Sequence, residues 1–182
     1  MGQIAFKGFA TGFYTGLFEI ASLGATNILV KFGKKVGNSR FVKVVLGSDD
    51  LSRTAIQFRK TLDTPNHRGN VAVFEYVDNN GVLVKKAFTT MEGNVAHAEE
   101  HARSWFETNN IPKRNVRRIY SELEPCELEG HACKKMLQKE FSGAQMTYSY
   151  DYPGGRNVSA EILEIRRTAI QQRFDDLTNL LK

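Results

Sequence analysis

The sequence predicts an α/β fold, helices packed on a mixed β-sheet, and three observations carry that expectation. Two runs rich in Val, Phe and Tyr flank Asp78-Asn79-Asn80-Gly81, a strong turn signal, and so read as a hairpin. Two further strand-like runs follow, each preceded by a helical pattern, and strands joined through helices imply parallel pairs in one sheet. With 182 residues, 41% apolar and 25% charged, the chain can bury an ordinary globular core.

Taken in order, Ser48 or Asp49 is placed to cap a first helix over 51–62, with Leu51, Ala55, Phe58 and Leu62 on its apolar face and Pro65 beyond its end. The hairpin strands are Val71–Val77 and 82–89. A helix over 95–107 follows, with Pro112 in the loop behind it. Val116–Leu123 is the third strand, 130–141 the next helix and 146–152 the fourth strand, broken by Pro153-Gly154-Gly155. The last helix starts from a Ser159 cap and runs to the C-terminus, with Ile162, Ile165, Ala169, Leu177 and Leu181 at helical spacing.

The pattern becomes regular only after Gly47. Residues 1–47 are therefore read as an N-terminal extension, the remnant of a larger polypeptide, and 48–182 as the principal domain. The extension holds an apolar stretch, 8–30, with Glu19 as its only charge, then a basic section with strand-like patches at 28–30 and 41–45. Gly, Thr, Ser and Asn dilute that stretch below a spanning helix, so a buried or partner-covered segment is expected and stable membrane insertion is not. The first residues show neither a secretory leader pattern nor, with Phe6 in sixth place, a myristoylation signal.

A net charge of +5 suits a polyanionic partner without specifying one. Lys113, Arg114, Arg117 and Arg118 cluster around the third strand, while Arg68 and Arg156 fall in loops where phosphate contact is one reading and a solvated face the other. The chain has only two cysteines, Cys126 and Cys133, set close together. That spacing argues for metal ligation in a reducing compartment rather than a disulfide framework.

Two segments carry chemistry: His97-Ala98-Glu99, and Pro125-Cys126 through His131-Ala132-Cys133. Each falls where a strand gives way to a helix, so both should open on one edge of the sheet. One His and two Cys suit Zn²⁺ and leave a fourth position for water. Three plainer readings compete. His97 and His101 have the spacing of zinc proteases, but Ala98 occupies the position where those enzymes need Glu. A structural zinc site could take His131 as its fourth ligand, and the two thiols could simply pack.

The pair of segments resembles the H-x-E and P-C-x-x-C signature of the zinc-dependent nucleobase deaminases. Over roughly residues 50–155 the chain is similar to the cytidine deaminase-like superfamily. The resemblance implies a three-layer fold, Zn²⁺ on His97, Cys126 and Cys133, and Glu99 as the proton carrier. It also suggests the Ala98 N–H as a contact to the base carbonyl. Asn70, Arg118 and Tyr120 are further candidates for substrate contact; Trp105 sits mid-helix and reads as core. The chain departs from the pattern in having six residues between its cysteines. Along a continuous helix that step covers about 10.5 Å, too far for one ion, so residues 127–130 must loop out and the helix restart near His131.

Variability in this stretch is found among bacterial toxin deaminases of the superfamily. The resemblance therefore implies hydrolytic deamination of cytosine to uracil in nucleic acid, with single-stranded DNA preferred and RNA second. It also implies a toxin secreted from its producing bacterium to act in a target cell's cytoplasm, and a cognate immunity protein. Three alternatives stand beside it: a deaminase of free nucleotides, an RNA cytidine or adenosine deaminase, and a non-catalytic, zinc-stabilised nucleic-acid-binding module.

Overall fold

In the computed structural model, which describes residues 41–90 and 95–182, a five-stranded sheet has the order β1-β5-β4-β2-β3. The strands are β1 (Phe41–Lys43), β2 (Val71–Val77), β3 (Leu83–Thr89), β4 (Val116–Leu123) and β5 (Gln145–Tyr150). β2 pairs antiparallel with β3 and β4, whereas β4 and β1 both run parallel to β5. The sheet is mixed, as the hairpin and the helical crossover require. β1 comes from the segment read as an extension, so the sheet reaches into residues 1–47. The apolar stretch 8–30, including the strand-like patch 28–30, lies outside the described residues. No helix among the described residues is long and apolar enough to cross a membrane.

Helices α1 (Asp50–Arg59), α2 (Ala98–Thr108), α3 (Cys133–Glu140) and α4 (Ala160–Leu180) flank the sheet. Asp49 caps α1: its carboxylate accepts the Ser52 N–H at 2.7 Å. β2 is apolar on both faces because both are covered, a pattern expected of a central strand. Val71 and Val73 pack with Leu51, Ala55 and Phe58 of α1 and with Tyr120. Ala72, Phe74 and Tyr76 face the opposite way into a core with α2 and α3, where Phe74 meets Phe88, Phe106 and Phe141 edge-on or tilted. Trp105 packs against this second core, as expected.

α4 departs from its apolar pattern. Its buried residues are Arg166, Ala169, Arg173 and Leu177, while Ile165 is 39% exposed. The reason is electrostatic. Glu122 on β4 is wholly buried and needs countercharge. Arg59 of α1 gives it two bonds, at 2.5 and 2.6 Å, and Arg173 adds a third at 3.3 Å. The same guanidiniums donate to the carbonyls of Pro65, His67, Arg68 and Gly69, and so fix the loop that leads into β2.

His67 in that loop accepts the Gly69 N–H on Nδ1 at 3.0 Å. Burial, helped by the Arg59 charge, pulls its pKa from 6.5 down to about 4. The unfolded chain therefore binds more protons than the folded one between those values, and stability rises with pH across that window. We expect stability to be fully present above pH 6.5 and about 1–2 kcal/mol of it, after solvent screening, to be lost on acidification to pH 4. Urea titrations at several pH values should show this slope flattened in His67→Gln; an equal slope in both proteins contradicts the assignment.

Candidate active site

The antiparallel β2–β4 pair and the parallel β4–β5 pair bring the start of β2 and the ends of β3, β4 and β5 to one edge of the sheet. Ligand sites in α/β sheets gather where parallel strands end. Here a cavity of about 340 Å³ opens, lined by Asn70, Thr90, His97, Glu99, Leu123 and Cys126 among others.

His97 is the N-cap residue of α2 and keeps an extended backbone, with ψ 163°. The Glu100 carboxylate, three residues on, accepts the His97 N–H at 2.9 Å, as in a capping box. Glu99 then points inward from the first turn. Cys126 follows β4 through the buried Pro125, and Cys133 opens α3. The residues between the cysteines do loop out. Gly130 and Ala132 take φ of 93° and 45°, left-handed values that break the helix, and the Lys134 N–H closes the loop on the Cys126 carbonyl at 3.0 Å.

This loop brings both sulfurs to one imidazole nitrogen. His97 Nδ1 lies 3.3 Å from Cys126 Sγ and 3.5 Å from Cys133 Sγ. Ligands of one tetrahedral ion, at bonds of about 2.0–2.3 Å, stand about 3.5 Å apart. His97, Cys126 and Cys133 therefore could hold a metal ion. Their electrostatics agree with such a role. The bond from the Cys133 thiol lowers the Cys126 pKa to about 4 and raises that of Cys133 itself. Contact with Cys126 raises the pKa of His97. The donors thus share protons that a cation would replace.

Glu99 is 2% exposed, and burial raises its pKa. Its Oε1 accepts the Ser121 hydroxyl at 2.8 Å and the Asn70 amide at 3.1 Å. Asn70 is pinned in turn, donating to Ser121 Oγ at 2.8 Å and accepting the Leu123 N–H on Oδ1 at 3.1 Å. Its side chain holds Glu99 while lining the cavity. Ala98 lies fully buried between His97 and Glu99.

The structure does not bring Arg118 or Tyr120 to this cavity. Arg118 forms ion pairs with Asp50 and Glu75, and Tyr120 is buried with its hydroxyl 2.9 Å from Ser149 Oγ. Both point toward α1. Lys113 is likewise paired, with Glu107 and Glu140. His101 packs edge-on against Phe88, with Nδ1 3.1 Å from the Thr89 carbonyl, and takes no part.

His131 does not join the two sulfurs. Its ring stacks on His97 at 3.9 Å, with Nδ1 2.7 Å from the Glu100 carboxylate; together with His97 and Glu100 it forms a second, thiol-free cluster. Sequence reasoning missed Ser121 and Glu100. Glu100 was signalled by the capping-box spacing, but Ser121 had no local signal, because it meets Glu99 only once α2 is packed on the sheet.

Compared with known proteins, the chain matches the profile of the Xanthomonas-like deaminase family over residues 67–168, more than half its length. No curated protein and no solved structure matches it.

Proposed function

The chain belongs to the Xanthomonas-like deaminase family, hydrolases acting on C–N bonds, and on that premise we propose that it deaminates cytosine in nucleic acid, preferring single-stranded DNA. One observation carries the reading: a buried carboxylate stands beside three converging donors at the floor of an open cavity. A structural zinc site normally has four protein ligands and no need of Glu99. Here His131, the fourth ligand such a site would call on, is engaged with Glu100.

His97, Cys126 and Cys133 would hold zinc, which when bound supplies Lewis-acid activation of water near neutral pH. The remaining chemistry is assigned to the chain. Glu99, anchored through Oε1, takes one proton from water and passes it to the ring nitrogen as the oxygen bonds to C4. It then takes the second proton from that oxygen and gives it to the exocyclic amine, which leaves as ammonia when the C–N bond breaks. Its raised proton affinity fits a group that must both accept and release. Asn70 and Ser121 keep the carboxylate in place during both transfers. A duplex hides the target atom, which favours a single strand.

We read residues 48–182, with β1 completing their sheet, as the catalytic domain and the residues before β1 as an extension from a larger, secreted toxin that acts in a target cell and is met by an immunity protein. The long cysteine spacing supports that branch. Incubation with pooled DNA, RNA and free nucleotides, followed by sequencing and chromatography, tests the substrate. C-to-U conversion should be strongest in single-stranded DNA; conversion confined to adenine or to free nucleotides contradicts the proposal.

A further inference from the structure

α4 sends three residues of one face toward the cavity: Arg166, Ile170 and Arg173, at i, i+4 and i+7. The two arginines do not enter it. Arg166, 7% exposed, donates to the Pro153 carbonyl at 2.6 and 2.8 Å and to the Gly155 carbonyl at 2.7 Å, and lies over the Tyr152 ring at 4.7 Å. Arg173, 2% exposed, donates to the carbonyls of Arg68, at 2.5 Å, and Gly69, at 3.2 Å. Each buried guanidinium thus grips a loop at or beside a second arginine, Arg68 in one and Arg156 in the other.

Those second arginines are exposed, and both line the cavity that holds His97 and Glu99. Neither has a salt-bridge partner among the described residues. Several other cations are committed to ion pairs: Lys43 with Asp151, Lys134 with Glu124, Arg118 with Asp50. Glu124 of the cavity wall is therefore neutralised, and Glu129 lies on the loop between the cysteines. Two fixed loops that each display an uncommitted guanidinium at one rim suit an anion. A guanidinium binds phosphate through a planar fork of N–H donors, and little ordering entropy remains once the loops are held.

We propose that Arg68 and Arg156 form a phosphate-binding rim over the cavity, held in register by Arg166 and Arg173 of α4, so that the substrate is a phosphate-bearing nucleotide unit rather than a bare base or nucleoside. The proposal rests on the deaminase reading of the cavity, and its test is separate from catalysis.

Fluorescence anisotropy should follow binding of a labelled oligothymidylate, which has no exocyclic amine to lose, to the zinc-loaded full chain over a range of salt. Competition by thymidine monophosphate and by thymidine completes the set. Wild type should bind with a salt slope to which each arginine contributes about 0.7, and thymidine should compete poorly. Arg68→Gln and Arg156→Gln should each weaken binding several-fold and lower the slope by about 0.7, at unchanged thermal midpoint. Competition by the monophosphate places one phosphate at the rim; competition only by oligonucleotide places a strand there. Both outcomes support the rim. It is overturned if wild type binds neither probe, or if the double variant keeps wild-type affinity and slope. Absence of deamination in wild type that binds with the expected slope would count against the deaminase reading alone.

Discussion

Replacing Glu99 with Gln should reduce turnover by about 10²–10⁴-fold while metal content and thermal midpoint stay at wild-type values. The substitution is chosen for its geometry. A Gln carbonyl oxygen can still accept from Ser121 and Asn70, which hold Oε1 at 2.8 and 3.1 Å, so the side chain keeps its place and loses only its capacity to carry a proton. Nor does burial oppose the change, because a neutral amide costs less at this 2% exposed position than a carboxylate. Rates measured with saturating single-stranded substrate, beside metal analysis of the same sample, check the expectation. Unchanged turnover would remove Glu99 from the mechanism.

The largest effect on stability should come from Glu122→Gln. The carboxylate is bonded by Arg59 and Arg173, both almost fully buried, and by the Val71 N–H. Neutralising it leaves two guanidiniums close together with no countercharge in a dry site. Breaking one side of a buried ion pair typically costs about 3–5 kcal/mol, and the near-identical shape of Gln offsets little of that. Urea denaturation should show the loss. Activity should fall too, since the same network fixes the loop that ends at Asn70. A change below about 1 kcal/mol would mean the arginines are satisfied by the loop carbonyls alone.

How far the sequence reveals this protein depends on whether the signal is local. β2 was legible to the residue because it is a bounded run of β-branched and aromatic side chains, and β4 because Val116, Ile119 and Tyr120 lie between the breakers Pro112 and Pro125. The starts of α2 and α3 were expected at 95 and 130 but lie at Ala98 and Cys133. Periodicity cannot register that the preceding residues are spent on site geometry, with extended backbone at His97 and left-handed backbone at Gly130 and Ala132. The placement of Arg118 and Tyr120 fails for another reason. They were chosen by residue type, whereas strand alternation sends 118, 120 and 122 to the α1 side and Ser121 to Glu99. Asn70, expected as a substrate contact, lines the cavity, and most of its hydrogen bonds serve Glu99 and the strand end. The buried arginines of α4 were illegible, because only the fold places Glu122 opposite them.

The central claim is that His97, Cys126 and Cys133 hold the ion on which deamination depends. Its most direct test measures C-to-U conversion in single-stranded DNA by protein stripped with a chelator, then given zinc, beside Cys133→Ser treated identically. Conversion should vanish on stripping and return with one zinc per chain in wild type, and fail to return in the variant. Full-rate conversion by the metal-free protein, or by Cys133→Ser, would contradict the account.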